Sequence, residues 1–96
     1  MAARNDNVTL AAGAWTQITD GDVTALRVQN VGTGAIWIKA RVGAGALASL
    51  GGAICLDSMV AIGADMTLAD LFPGIAGANR VYAWSDNGGL VSVSHA

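Results

Sequence analysis

Residues 35–42, AIWIKARV, decide the fold class. Along this stretch small or apolar side chains alternate with longer ones. The first set is Ile36, Ile38, Ala40 and Val42. The second set is Trp37, Lys39 and Arg41. A period of two with three β-branched residues predicts a β-strand that buries the first set and presents the second on its other face.

Further short β-type runs lie on both sides of this strand. They cover residues 8–10, 15–19, 23–30, 53–56, 59–62, 80–85 and 90–94. Two glycine-rich links, VGTG at 31–34 and DNGG at 86–89, predict hairpins, the second because Asn-Gly accepts the positive φ angles of tight turns. About six to eight short strands with frequent turns predict an all-β fold. We expect a small antiparallel β-sandwich that is Ig-like or jelly-roll-like.

The one helix candidate is TLADLFP, residues 67–73. Thr67 is suited to cap the first turn, and Asp70 three residues later completes a shortened capping box. Pro73 and Gly74 end the segment, so we expect a single short helical turn near residues 67–72.

No linker, charge block or repeat divides the chain, so residues 1–96 are predicted to form one domain. Residues 1–7 are polar, hold no apolar segment typical of a secretory signal, and are predicted to form a flexible arm without a strand. The longest uncharged run, Val42 to Leu56, has 15 residues and four glycines. We interpret it as a loop that leads into a strand, since a membrane helix needs about 20 apolar residues.

Charged side chains are scarce: the 96 residues include seven Asp, five Lys or Arg, and no Glu. They make up 12% of the chain, whereas a typical soluble domain carries about 25%. A domain of this size leaves much of its surface uncovered, and surfaces depleted of charge are those that meet other proteins. We therefore expect a subunit of an assembly. The basic residues are scattered, which argues against nucleic-acid binding.

The sequence holds no pattern that predicts catalysis, a cofactor or a bound metal. Asp20 and Asp22 flank a glycine as calcium ligands do, but no third ligand follows at loop spacing, and a polar turn is the simpler interpretation. His95, the only histidine, is one residue from the end and is expected to be held too loosely for acid–base work. Cys55, the only cysteine, stands between two aliphatic residues and is predicted to be buried. We expect a protein that is not an enzyme.

In each of two runs, residues 35–42 and residues 80–85, aromatic and basic side chains are predicted to lie on the same face of the strand. The candidate contacts with a partner or a second subunit are Trp37, Lys39, Arg41, Arg80, Tyr82 and Trp84. Three interpretations stay open for these faces and for Trp15. The rings fill the core, or they form subunit contacts, where Trp, Tyr and Arg are enriched, or they make a platform on which sugar rings stack.

Three segments carry a resemblance to a known class of proteins: VTLAAGAWTQIT (8–19), LRVQNVGTGAIWIKA (26–40) and TLADLFPGIAGANRVYAWSDNGGLVSVSHA (67–96). They resemble small virion proteins of tailed bacteriophages and are similar in style to capsid decoration, or cement, proteins. The resemblance rests on composition and turn pattern, and no catalytic residues come with it.

The resemblance implies a β-sandwich that binds the outside of the capsid beside the major capsid protein, often as a homotrimer, and stabilises contacts between capsomers. It implies a location on the virion after synthesis in the host bacterial cytoplasm. From the residues alone we expect no nucleic acid, membrane or cofactor as partner. Alternatives are a neck, tail or head-fibre component, or a carbohydrate-binding module, whose distinguishing feature is an exposed planar row of aromatic rings with polar neighbours.

Overall fold

The computed structural model describes residues 3–96. These residues form eight short β-strands and one helix of a single turn. The strands are β1 Arg4–Leu10, β2 Thr16–Gln17, β3 Arg27–Asn30, β4 Ile36–Arg41, β5 Ile54–Leu56, β6 Ala61–Ile62, β7 Arg80–Trp84 and β8 Gly89–His95, and the helix is α1 Leu68–Leu71.

The strands form two packed sheets in which all paired neighbours are antiparallel. One sheet has the order β1-β8-β3-β6 and the other β2-β7-β4-β5. Strands that follow one another in the chain therefore lie in different sheets but at matching positions. This holds for β1 and β2, for β3 and β4, for β5 and β6, and for β7 and β8. This is the strand order of a jelly roll. The predicted antiparallel all-β sandwich is confirmed, in its jelly-roll form.

Both predicted hairpins are wrong. The links at 31–34 and 86–89 join strands of different sheets, so each is a crossover between the sheets. Gly88 does have the positive φ, 84°, that an Asn-Gly turn uses. The residues of a turn do not decide whether the next strand pairs with the preceding strand in the same sheet or crosses to the other sheet. Here β8 pairs with β1 and β3 and not with β7.

Asn30 holds the crossover between β3 and β4. It is fully buried, and its Nδ2 donates to the carbonyl oxygens of Gly34 at 2.8 Å and of Leu56 at 2.9 Å. Its Oδ1 accepts a hydrogen bond from the Gly32 N–H at 3.0 Å. One side chain thus satisfies backbone groups that ladder pairing would satisfy in a hairpin.

The core lies between the two sheets, and the predicted alternation of β4 and β8 is confirmed. The buried residues of these strands include Ile36, Ile38, Ala40, Val91 and Val93. Val42 was expected to continue the buried face of β4, but it is 52% exposed because the strand ends at Arg41.

The N-terminal segment differs from the expected strandless arm. Arg4–Leu10 forms β1, which pairs with β8 along its whole length, from Arg4 opposite His95 to Leu10 opposite Gly89. The arm prediction is therefore wrong for residues 4–7, and its residues 1–2 lie outside the described part of the chain. Backbone pairing places these polar residues in the sheet while their side chains stay largely exposed.

The predicted helical turn is confirmed. Thr67 caps it: its Oγ1 accepts from the Asp70 N–H at 3.1 Å, and Asp70 Oδ2 accepts from the Thr67 N–H at 3.2 Å. The uncharged run forms a loop at 42–53 that leads into β5, as predicted. Within residues 3–96, no helix has the length and apolar character needed to cross a membrane.

Candidate functional site

A row of three tryptophans crosses the outer face of the β2-β7-β4-β5 sheet. In the strand register Trp37 of β4 lies opposite Trp84 of β7. Trp15, which directly precedes β2, has its ring centroid 5.8 Å from that of Trp84, with the ring planes tilted by 57°, a favourable aromatic geometry. All three residues are half-buried. We call them the tryptophan row.

The loop of residues 42–53 lies over the other half of this face. Tyr82 Oη accepts a hydrogen bond from the Gly45 N–H at 2.9 Å, and the residue is buried. Arg41 Nη1 donates to the Ala46 carbonyl oxygen at 2.8 Å. Tyr82 is therefore covered by the chain's own loop and does not fill the space between the sheets.

The remaining basic side chains of this face also have partners within the chain. Lys39 Nζ donates to the Ser49 carbonyl oxygen at 3.4 Å, and Arg80 Nε donates to Asp22 Oδ1 at 2.7 Å. The structure brings all the candidate contact residues onto one face, because β4 and β7 are neighbours. It also divides them. The half under the loop holds Lys39, Arg41 and Tyr82, and the open half holds Trp37 and Trp84. Arg80 is paired with Asp22 and has no hydrogen bond to the loop among the described residues.

A cleft of about 310 Å³ opens beside Trp37. Its other walls come from the two crossovers, at residues 33–35 and 85–88. Asp86 Oδ1 accepts a hydrogen bond from Trp84 Nε1 at 3.0 Å, which joins the cleft to the tryptophan row. No Lys, Arg or His lines it among the described residues. We call this the Trp37 cleft.

Three of the five large apolar side chains that are exposed in the described chain lie before or after β6, at the β5–β6 side where each sheet ends, and the other two, Val42 and Leu50, lie in the loop of residues 42–53. Met59 is 62% exposed, Val60 45% and Met66 43%. Cys55 is exposed as well, and the prediction that it is buried is wrong. It lies opposite Trp37 in the register, on the outer face. We call Cys55, Met59, Val60 and Met66 the methionine edge.

Met59 presents its side chain from a strained backbone. Its φ of 70° is left-handed, and no other non-glycine residue in the described chain has a positive φ. For a residue with a Cβ this conformation costs about 1–2 kcal/mol. The surroundings hold it: the Met59 N–H donates to the Asn30 carbonyl oxygen at 2.6 Å, and its own carbonyl accepts from Gln29 Nε2 at 2.9 Å.

The opposite side of the sandwich, formed by β1 and β2, is charged. Arg4 Nε donates to Asp20 Oδ2 at 2.8 Å, and Arg4 Nη2 bonds the other oxygen of that carboxylate. Asp6 Oδ1 lies 3.3 Å from Arg4 Nη1. The hydrogen bond from Arg4, together with its positive charge, lowers the pKa of Asp20 below the usual value.

The weak metal candidate and the lone histidine both have structural roles. The carboxylates of Asp20 and Asp22 pair with Arg4 and Arg80 respectively. Residues 3–96 contain no group of three His, Cys, Asp or Glu side chains arranged to hold a metal. His95 is buried, and its Nε2 accepts from the Asp20 N–H at 3.2 Å. The expectation of a loosely held histidine is wrong, because β8 continues through it.

Sequence reasoning missed the methionine edge. The sequence did carry a signal for an uncharged surface. No basic residue occurs between Arg41 and Arg80, and the only charged residues there are Asp57, Asp65 and Asp70. The tryptophan row had no comparable signal, since Trp15, Trp37 and Trp84 lie far apart in the chain.

Comparison of the chain with protein-family models, curated proteins and solved structures found no match. The jelly roll does not select a function either, because the same architecture serves viral capsid and lectin domains. Three surfaces of the molecule are candidates for function: the charged β1 side, the methionine edge, and the tryptophan row with its cleft.

Proposed function

We propose that this protein is a structural virion protein that binds the outside of a bacteriophage capsid, and that it docks on the major capsid protein through the methionine edge. The observation that carries the proposal is the difference between the two sides of the sandwich. One side carries the ion pairs of Arg4 with Asp6 and Asp20, and the other exposes large apolar side chains with only isolated aspartates beside them.

The first support is the chemistry of the methionine edge. Met59, Val60 and Met66 are large apolar residues with about half of their surface exposed. Methionine is enriched at protein interfaces, and its flexible thioether adapts to irregular partner surfaces. Together with the low overall charge, this edge has the composition of a surface that a partner covers.

The second support is the absence of charged side chains from β5 and β6. A sheet edge left open to water normally carries Lys, Pro or inward charges, because its unpaired backbone groups invite pairing. β1 fits that rule, with Arg4 and Asp6 on a polar strand. β5 and β6, like the edge strand β2, are limited in pairing by their length of two or three residues, but they carry no charge and no proline. A permanent neighbour would make such protection unnecessary.

The third support is the backbone of Met59. Strained conformations persist where the surrounding structure enforces them, and they cluster at functional sites. Here two hydrogen bonds hold the strained backbone of Met59, and they thereby fix the position of one exposed apolar side chain. An exposed methionine gives the isolated subunit no packing that offsets this cost.

Charge and symmetry complete the proposal. The aspartates near the methionine edge, Asp57 and Asp65, favour a neutral or basic surface on the capsid protein. A contact of standard size buries about 800 Å² per partner. Subunits that each bridge two capsid proteins, or that associate as a homo-oligomer, multiply a modest affinity through effective concentration. That is how a small protein would stabilise contacts between capsomers.

The test is co-sedimentation with empty shells of the phage that encodes the chain. Met59→Lys is expected to weaken binding at least tenfold, because it places a charge in the docked apolar surface. Asn5→Lys, on the exposed β1 strand, is the matched control and is expected to bind like the wild type.

Two results would overturn the proposal. One is equal binding by Met59→Lys and the wild type. The other is a wild-type protein that ignores shells but binds purified necks, tails or head fibres, which would assign it to another part of the particle.

A further inference from the structure

We propose that the Trp37 cleft binds a short neutral carbohydrate. The cleft shares no residue with the methionine edge, so this inference does not depend on the docking proposal. The proposal is based on the lining of the cleft. One wall is the aromatic ring of Trp37, the other walls are polar crossovers, and no positively charged side chain of the described residues lines it.

The walls of the cleft are held in place by the fold. The first crossover is fixed by buried Asn30. In the second, Ser85 Oγ donates to the Gly88 carbonyl oxygen at 2.7 Å, and Asp86 is tied to Trp84. Ligand sites are usually largely formed before the ligand arrives, because ordering a loop on binding reduces affinity.

The polar groups of the cleft suit hydroxyl groups. Asp86 uses one carboxylate oxygen for Trp84, which leaves its Oδ2 as an acceptor. The side chains of Thr33 and Asn87 make no hydrogen bond within the described chain and offer both donors and acceptors. These groups line the cleft together with Trp37, whose apolar ring is suited to pack against the C–H face of a sugar ring.

Charge excludes the main competing ligands. Phosphate and carboxylate groups are bound by Arg, Lys or helix N-termini, and none of these lines the cleft. Asp86 adds a negative charge that repels anions. A neutral polyol is the ligand class that satisfies both the acceptors and the apolar wall.

The geometry also limits the size of the ligand. The cleft volume of about 310 Å³ is at the lower end of the range for ligand sites, about 300–1,000 Å³. Trp15 and Trp84 are tilted by 57°, so the tryptophan row is not a flat platform for a long polysaccharide. One or two sugar residues in the cleft, against Trp37, is the arrangement that fits.

The experiment is a titration of the protein with a panel of neutral monosaccharides and disaccharides, followed by two-dimensional amide NMR. Sialylated and phosphorylated sugars form the acidic arm of the panel. At least one neutral sugar is expected to shift the signals of residues 33–35 and 85–88. Trp37→Ala is expected to weaken this binding at least tenfold, and the matched control Trp15→Ala to weaken it less than twofold.

The double variant Thr33→Val with Asn87→Ala removes only exposed polar groups and gives a test even if Trp37→Ala does not fold. It is expected to abolish the shifts while retaining the folded spectrum. Three results would overturn the proposal: no neutral sugar binds at millimolar concentration, only acidic sugars bind, or the double variant binds like the wild type.

Discussion

Asn30 shows how a single polar residue supports the jelly roll. It is the last residue of β3, is fully buried, and bonds three backbone groups in the crossover and in β5. A buried amide without partners would destabilise the fold, whereas a fully bonded one specifies which elements meet. The crossover that forms one wall of the Trp37 cleft depends on this residue.

Asn30→Ala is expected to lower the free energy of unfolding by about 2–4 kcal/mol, because several buried backbone groups lose their partners. Urea denaturation measures the loss. Asn5→Ala, at an exposed asparagine of β1, is the control and is expected to change stability by less than about 0.5 kcal/mol. Equal stability of the two variants would contradict the role given to Asn30.

Met59 gives a prediction of opposite sign. Met59→Asn is expected to raise the free energy of unfolding by up to about 1 kcal/mol, because asparagine tolerates the left-handed backbone better than methionine does. Met66→Asn, at an exposed methionine without a positive φ, is the control. Thermal unfolding of both variants is the measurement: a gain shared by Met66→Asn would show that replacing an exposed apolar side chain, and not relief of backbone strain, is responsible.

At the scale of elements, the loop of residues 42–53 decides which part of the outer face is available. It crosses β4 and β7, and its backbone contacts the side chains of Lys39, Arg41 and Tyr82. A glycine-rich loop can lie this close to a sheet because it adds little side-chain volume. The basic residues therefore hold the loop, and the tryptophan row stays open.

Tyr82→Phe removes the hydroxyl that accepts from Gly45 and donates to Gln17. The loop is expected to open more often, with faster amide exchange at residues 43–50 and a loss of about 1 kcal/mol in stability. Trp84→Phe removes a hydrogen bond elsewhere on the same face and is expected to leave exchange in the loop unchanged. Equal exchange in Tyr82→Phe and the wild type would show that the hydroxyl does not hold the loop.

The ion pair between Arg4 of β1 and Asp20 makes stability depend on pH. The pKa of Asp20 is lowered in the folded protein, so the pair stabilises above the unfolded value of about 3.9. This contribution is lost as pH falls through the lowered folded pKa. Asp20→Asn is expected to be less stable than the wild type at neutral pH, and the difference is expected to shrink below that window.

Unfolding curves measured across the acid range test this expectation. Asp57→Asn, at an exposed aspartate with no ion pair among the described residues, is the control and is expected to show no such convergence. A difference between Asp20→Asn and the wild type that persists at the lowest pH would contradict the assignment.

At the scale of the whole molecule, the sandwich measures 30 × 27 × 20 Å and has two unlike sides. The β1–β2 side carries ion pairs, and the β5–β6 side carries exposed Met59, Val60 and Met66. When nothing else covers the methionine edge, we expect it to be the surface through which copies of the chain associate.

Val60→Lys is therefore expected to reduce concentration-dependent association, as measured by light scattering, because it adds a charge to the uncovered edge. Asn7→Lys adds the same charge to β1 and is expected to leave association unchanged. If the wild type is monomeric at high concentration, this expectation fails, and the methionine edge is not a self-association surface.

The amino-acid sequence by itself determined the features that depend on near neighbours. Side chains a few positions apart set the alternation in residues 35–42, the number of strands and the capping box at Thr67. The low charge follows from composition alone. These gave the all-β sandwich and, by resemblance, the proposed class of function. They did not indicate the burial of His95 or the exposure of Cys55, because both depend on strands distant in the chain.

Only the tertiary structure decided which strands pair within a sheet and which links cross from one sheet to the other. The links at 31–34 and 86–89 have turn chemistry that suits a hairpin or a crossover, and the choice depends on pairing with distant β1, β6 and β8. The same pairing joins Trp15, Trp37 and Trp84 into a row and leaves the methionine edge uncovered. Local sequence sets the backbone angles and the buried face of each strand, but the partners of a strand are set by packing across the whole chain.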